Sequence, residues 1–487
     1  MQNLGRGRAQ RARAVAGAAV LVAIALASDA SAGGLYFSDR GVRPMGRGGA
    51  FVAGADDLGA IWYNPAGIVD APRQVLADMS FLLFHSRYTR VSRVRQLDPN
   101  TGQPTGQAWN QTYPTADGTA PIIPIPTIAI SHDFGLKDAS FALGMHAPYA
   151  AGARYESKVA GQPNPGRYML LNLDGSMLAT PGAWAAYRIA PEVQVGAGFE
   201  LLIGNYRSQL MMSTCLPDRF VCAEEQPDFD AVSQLDVGPI WAPGGNFGIT
   251  IAPHESVRIG ASYQLPFRVD APATVQVRVP PNAFFDNAYQ DGDKARVKMT
   301  MPWIARVGVE GRYAHVRAEL AWVYEAWHLH DRIEVTPENI VLRNVELFPA
   351  EYRITQQIVP RNFKDTWSVR LGAEGWFDVE GYRLDLRGGV MLEKSAIPKE
   401  YLSTLTIDLD KVIVGIGGSL HLGETWRFDA LVERVMGKSA EVDPTEARYP
   451  LLNPVRATPP TYPDYVNGGR YEASATVLGV GLAASYQ

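Results

Sequence analysis

Cysteine is nearly absent from this chain of 487 residues, which holds only Cys215 and Cys222. Two sulfurs with no histidine nearby make a poor structural zinc site, which wants four ligands. In an exported chain, a short polar loop closed by two cysteines reads as a disulfide. Long apolar runs are missing too. Beyond residue 32 every hydrophobic cluster is interrupted within a few positions by Arg, Asp, Glu or Gly, which excludes a bundle of spanning helices, each needing about 20 apolar residues. There is no strong excess of one charge: 45 Lys and Arg face 50 Asp and Glu, a net −5. Nothing therefore points to nucleic acid as a partner. No Gly-x-Ser-x-Gly, His-Glu-x-x-His or P-loop sequence occurs, and His254-Glu255 lacks a second histidine. The common hydrolase, zinc-protease and nucleotide sites have no starting point here, and no catalytic residue, metal or cofactor is expected.

The N-terminus carries Arg6, Arg8, Arg11 and Arg13, then apolar residues from Ala14 to Ala27, then Ala30-Ser31-Ala32. Charged, apolar and small residues in that order describe a secretory signal peptide over residues 1–32, so the chain is expected to be exported. Ten Trp and 21 Tyr are also present. Such amphipathic rings collect at membrane interfaces, where one end stays apolar and the other wet.

Period-two alternation dominates the remaining sequence. Trp367, Val369, Leu371, Ala373 and Phe377 share one parity, against Ser368, Arg370, Glu374 and Asp378 on the other. Leu384, Leu386, Val390 and Leu392 likewise stand against Arg383, Asp385, Arg387 and Glu393. A strand separates these sets onto two faces, whereas a helix would scatter them. About fourteen strands are expected, over residues 74–95, 125–134, 139–147, 180–190, 193–211, 246–252, 256–279, 294–311, 315–328, 366–378, 382–394, 411–422, 425–437 and 473–486. Short links such as 135–138 and 379–381 alternate with long ones such as 212–245, 329–365, 395–410 and 438–472. That rhythm is expected of an all-β transmembrane antiparallel barrel in the bacterial outer membrane, with short periplasmic turns and long extracellular loops. Lipid forbids an open sheet edge, so the strands over 74–487 must close. Side chains alone do not fill a barrel this wide. Residues 33–73, rich in Gly and Ala and without alternation, are the expected N-terminal plug. Within them Ala50–Gly59 is expected as a short helix, with Asp56 and Asp57 as solvated charges. Gly415-Ile-Gly-Gly418 falls inside an expected strand, where it relieves crowding in the lumen instead of binding phosphate.

The stretch Gly46-Arg-Gly-Gly-Ala-Phe-Val-Ala-Gly-Ala-Asp-Asp-Leu-Gly-Ala-Ile-Trp-Tyr-Asn-Pro-Ala-Gly67 resembles the N-terminal hatch of the FadL/TodX (OmpP1) family of outer-membrane transporters for hydrophobic compounds. Val257–Tyr263, Phe363–Glu374 and Ile397-Pro398 are similar to further family segments, so the resemblance runs over most of the mature chain. It implies a monomeric barrel closed by its hatch, with Gly46, Gly48, Gly49, Asn64, Pro65 and Ala66 as the hatch motif. It also implies a fatty acid or hydrocarbon as ligand, and a sideways exit into outer-membrane lipid beside a kinked strand. Two loop segments are candidates for a surface groove, one through Phe284 and Phe285 and one through Leu347 and Phe348. A non-selective porin and an outer-membrane hydrolase are the competing readings. The hydrolase would draw on His328, His330 and Asp331, which a strand end would bring to one place; a polar rim above an aromatic girdle accounts for the same residues.

Overall fold

The structure, a computed structural model, describes residues 39–98, 104–120, 122–147, 153–215, 225–346, 351–455 and 464–486. The expected signal peptide, Cys222, Leu347 and Phe348 lie outside them.

Among the described residues, fourteen antiparallel strands close a ring. They are β1 (Gln74–Leu97), β2 (Ile123–His132), β3 (Ala139–His146), β4 (Met177–Ala190), β5 (Val193–Ser213), β6 (Asp230–His254) and β7 (Val257–Gln264), followed by β8 (Ile304–Tyr313), β9 (Val316–Glu325), β10 (Thr366–Val379), β11 (Tyr382–Glu393), β12 (Lys411–Leu422), β13 (Trp426–Gly437) and β14 (Gly469–Ser485). Each pairs with its sequence neighbour, and β14 returns to β1 from Gln74↔Ser485 to Arg90↔Gly469. Closure leaves no edge for lipid to solvate.

The alternation read from the sequence sets which face meets lipid. Along β9, Val316, Ala318, Leu320 and Trp322 are exposed while Arg317, Glu319, Ala321 and Val323 are buried. On β10 and β11, Leu371 and Leu386 are exposed and Arg370, Asp385 and Arg387 are buried. Rings mark the two rims. Tyr263, Trp303 and Tyr324 stack in sequence, with centroids 5.4 and 5.3 Å apart. Tyr313 lies at the other end of the same strand, 87% exposed. Ten residues of strand tilted by roughly 40° separate the two levels by about 25 Å, the height of a barrel's apolar band.

β1, β5 and β6 hold 24, 21 and 25 residues, about twice what lipid requires, so their upper halves stand above the membrane. Here the expected boundaries need correction. The stretch 230–245, expected as part of a long link, is strand. Its Gly238-Pro239 and Pro243-Gly244-Gly245 hide the strand signal. The expected strand 256–279 is two strands, β7 and a ribbon over Arg268–Arg278, separated by Leu265-Pro266-Phe267. The expected strand 294–311 is likewise interrupted at Met301-Pro302-Trp303. The ribbon pairs with Val232–Val237 of β6 and with Lys294–Thr300. Arg332–Pro337 and then Gln357–Pro360 extend that upper sheet. Loops pack on its inner face as one apolar cluster that includes Tyr168, Phe229, Phe267, Trp327, Tyr449 and Tyr471.

Residues 39–73 lie against the inner face of the lower wall, with short helices α1 (Val42–Gly46) and α2 (Ala60–Tyr63) and a 3-10 turn over Pro65–Asp70. The helix expected at 50–59 does not form. The N–H groups of Val52, Ala53 and Gly54 instead donate to the Glu319 carboxylate on β9, at 2.6, 3.0 and 2.9 Å; three consecutive donors aimed at one wall residue cannot also point along a helix axis. Asp57 is not a solvated charge either: it is 2% exposed. It accepts from Arg43 and Arg427 at 2.9 and 2.8 Å. Asp56 is half-buried and pairs with Arg43 and Arg317.

Candidate functional site

The lumen has two storeys. In the lower one, the N-terminal segment is tied to the wall by buried ion pairs. The Arg47 guanidinium donates to Glu310 at 2.7 Å and to Glu319 at 3.3 Å, with all three side chains fully buried. Arg43 reaches Glu374 at 3.2 Å, and Arg370 on β10 reaches Asp39 at 2.6 Å. Burial by itself would raise the Asp57 carboxyl, but the Arg427 and Arg43 guanidiniums hold it well below the usual carboxylate range. Wall glycines let the two backbones meet. A Cβ at Gly372 or Gly389 would strike Arg47, one at Gly415 would strike Met45, and one at Gly196 would strike Pro65. The Gly415–Gly418 stretch therefore does relieve crowding, at a definite contact.

The motif residues are at this contact. Gly48 and Gly49 have φ of +60° and +72°, and a Cβ on Gly48 would meet the Gly389 backbone. Gly46 packs against Arg387. The Asn64 amide donates to the Val52 carbonyl at 2.9 Å and to Ile249 and Thr250 of β6 at 3.1 and 3.0 Å. Its oxygen caps the turn that Pro65 opens by accepting from Ala66. Asn64 thus fastens the segment to itself and to the wall at once, and Pro65 costs no hydrogen bond at the first position of the turn.

Beside this segment lie the facing ends of β2 and β3. The β2–β3 ladder runs only from His132↔Phe141 to Thr127↔His146, while β2 keeps pairing with β1 as far as Ile123. The Pro126 carbonyl accepts from Ala147, so position 126, and by alternation position 124, points its backbone toward β3. Both are proline. Where β2 runs on past the end of the described ladder, it therefore has no N–H to leave unpaired. The Arg40 side chain donates to the Ala147 carbonyl at this point and stacks on Trp62 at 3.8 Å, and Trp62 meets the ring of His146 edge-on at 5.1 Å.

The upper storey holds a narrow apolar cavity of about 60 Å³, bounded by Leu210, Met212, Val275, Val335, Leu405 and Leu452, with Tyr206 and Tyr449 among its polar contacts. An engineered cavity that admits benzene is about 150 Å³, so any ligand must part these side chains. The groove candidates lie elsewhere. Phe284 and Phe285 sit in a 3-10 turn with rings 6.2 Å from Phe229. Phe285 is 2% exposed, and neither residue lines the cavity. Of the residues that do line it, Leu405, Tyr449 and Leu452 were missed because they sit in long links without alternation. Cys215 is buried in the same cluster.

His328 and His330 do not form one site. They occupy a 3-10 turn and its end, not a strand end. His328 is exposed, with Nδ1 2.6 Å from Asp365. His330 is fully buried, not on a polar rim, and its Nδ1 donates to the Thr300 carbonyl at 2.9 Å. Burial, with Arg361 nearby, pushes the His330 imidazole down to about 3. Among the described residues no group of three His, Cys, Asp or Glu side chains could hold a metal ion.

The family described as outer membrane protein transport protein (OMPP1/FadL/TodX) matches residues 23–487. Among solved structures, a Pseudomonas aeruginosa FadL homologue shares the fold at TM-score 0.68 and 11% identity, over 93% of this chain and 100% of its own. The Pseudomonas putida toluene transporter TodX gives 0.61 and 15%, over 93% and 100%. CymD, a monoaromatic hydrocarbon channel, gives 0.56 and 14%, over 92% and 97%. No curated protein matches the chain.

Proposed function

Because the chain belongs to the outer-membrane transport family OMPP1/FadL/TodX, we propose that it carries long-chain fatty acids or other hydrophobic compounds inward by diffusion. In this reading the molecule enters the apolar upper cavity, the segment 33–73 acts as a hatch beneath it, and the molecule leaves sideways through the wall between β2 and β3. The protein acts as a monomer, without catalysis. The observation that carries the reading is the division of one lumen into an apolar upper chamber and a charged lower seal, with Pro124 and Pro126 of β2 beside that seal. An amphiphile gains little from a water-filled pore. A lateral exit returns about 0.8 kcal/mol for each CH₂ that enters lipid.

Uptake of labelled oleate and of toluene by cells with and without the protein tests the transport; equal rates for both compounds would reject it. The exit is tested by Ala147→Trp, which places a bulky ring where Ala147 meets Pro126 of β2, outside the lining of the upper cavity. Uptake is expected to drop at least tenfold while binding to the purified protein is retained. Unchanged uptake would move the exit elsewhere.

A further inference from the structure

The upper sheet has an outer face as well as the inner one that the loops cover. In the ribbon Arg268–Arg278 and its partner Lys294–Thr300, Val269, Ala271, Ala273, Ala295 and Val297 turn inward to the apolar cluster, and the alternate positions face out. Every charged residue of these two strands is on the outer face: Arg268, Arg278, Lys294, Arg296 and Lys298, against a single acid, Asp270. The chain as a whole carries net −5, so this concentration of positive charge runs against its composition. Neighbouring acids neutralise only part of it. Asp270 is held by Arg296 at 2.5 Å, Glu334 by Arg332 at 2.8 Å and Asp236 by Arg207. Among the described residues, Arg268, Lys294 and Lys298 form no ion pair.

The same face carries an open cleft of about 550 Å³, with Arg207, Pro272, Thr274, Lys294, Arg296 and the exposed Glu338 in its lining. The cleft opens where the β5–β6 ladder shifts register between Gly204 and Tyr206. Gly204 and Gly238, at φ of +136° and +150°, take the backbone conformations that such a bulge needs. Below the cleft the face runs down to the membrane. Arg268 follows Tyr263 and Lys298 precedes Trp303, two rings of the upper aromatic rim, with no more than about 17 Å of chain between cation and ring. Lys294 and the cleft stand about 13 Å further along the strand. Aromatic rims settle at the headgroup level of a bilayer, so the cations next above them meet the charged layer of the leaflet.

We infer that this face docks a phosphorylated glycolipid of the outer leaflet. Arg268 and Lys298 take the phosphates nearest the acyl chains, and Arg207, Lys294 and Arg296 at the cleft take phosphates on the saccharide above. A guanidinium meets phosphate through two hydrogen bonds at once, and an ammonium meets it as a point charge. The acyl chains find the apolar outer wall of β7 and β8 directly below. A soluble polyanion would match the charge but have no use for that wall. The site lies outside the barrel and is independent of what passes through the lumen.

The test places the full chain in phosphatidylcholine nanodiscs doped with diphosphoryl lipid A, monophosphoryl lipid A or core-bearing lipopolysaccharide, and native mass spectrometry counts the glycolipid that stays on the protein as the disc is stripped. Wild type is expected to retain diphosphoryl lipid A better than monophosphoryl lipid A, and both better than phosphatidylcholine, with the preference falling as salt rises. Arg268→Gln combined with Lys298→Gln should weaken diphosphoryl lipid A about 10- to 30-fold, at about fivefold for each cation near a charged surface. Lys294→Gln combined with Arg296→Gln should weaken the core-bearing lipopolysaccharide and spare lipid A. Lys399→Gln combined with Arg448→Gln removes the same charge from exposed positions on other links and should change neither. All six side chains are exposed, and the salt dependence of wild type reads the same contact without any substitution. Wild type with no preference for lipid A over phosphatidylcholine overturns the inference. A loss in the control pair as large as that at 268 and 298 does so too, because it would mean diffuse charge and not a site. Free pyrophosphate or heparin bound as tightly as lipid A would give the face to a soluble polyanion and overturn the lipid occupant. A cleft pair without effect on lipopolysaccharide removes the upper half of the site.

Discussion

The two storeys of the lumen are built from opposite materials. Below, α1, α2 and the turn at Pro65–Asp70 are held by guanidinium–carboxylate pairs and by backbone contacts that only glycine permits. Above, loops and strand ends meet through aliphatic and aromatic side chains, around the buried Arg90 and Arg167, each paired with a carboxylate, and Arg361, which donates to Thr406. Ion pairs and hydrogen bonds are directional, so they hold a segment in one register. Apolar contacts are not directional, and thioether and aliphatic side chains yield to a guest. A single barrel interior can therefore carry a fixed floor and a deformable chamber without any division into domains.

The floor can be broken most severely at Arg47. Arg47→Ala leaves Glu310 and Glu319 buried with their shared counter-charge gone, and the loss of one partner from a buried pair costs about 3–5 kcal/mol. Urea unfolding in lipid should show that loss, and ion conductance in planar bilayers should rise as the segment loosens. A shift below about 1 kcal/mol would mean that water already solvates this cluster. The wall between floor and lipid gives the next effect. Leu371→Arg places a charge in the apolar band and should cost about 2–4 kcal/mol. Asp385→Asn, across the sheet in the lumen, keeps one of the two oxygens that Arg383 and His421 now meet and should cost about 1 kcal/mol. Equal costs at the two positions would contradict the assignment of faces.

The sequence made the floor and wall far easier to read than the chamber. In the spanning wall each residue faces either lipid or lumen, so its chemistry alternates and Leu371 can be told from Arg370 by parity alone. Gly46, Gly48, Gly49 and Asn64 stand out by resemblance, and tight backbone packing explains their identities. Above the lipid both faces of a strand meet protein or water, the alternation fades, and prolines at 239, 243 and 266 interrupt what remains. For that reason 230–245 resembles a loop. The chamber is assembled from segments distant in sequence: Leu210, Val275, Leu405 and Tyr449 line one cavity, and no local pattern announces such a meeting. His330 was misjudged for a related reason. A histidine two residues from an exposed one looks solvated until the ring of Phe363, from the far end of the same long link, covers it at 5.1 Å.

His330 also gives the gentlest way to probe the upper storey by itself, because it lies there and its buried imidazole takes up a proton only as the protein loosens. Its imidazole is buried between Trp327 and Phe363, near the Arg361 charge, and burial lowers its folded pKa to about 3. The unfolded chain binds a proton near pH 6.5. Over that interval the unfolded state holds more protons than the folded one, so stability from this group is complete above pH 6.5 and is lost as pH falls toward 3. At pH 5 the loss is about 2 kcal/mol. Hydrogen exchange should therefore quicken in the backbone around 327–363 between pH 7 and 5, after correction for intrinsic rates, and the segment 42–70 should keep its protection. In His330→Phe the ring packing remains but the proton site is gone, so the same backbone should exchange independently of acid over this range. Acid sensitivity that survives the substitution would place the titrating group elsewhere in the chamber. Loosening of both storeys together would mean that the floor and the chamber unfold as one unit.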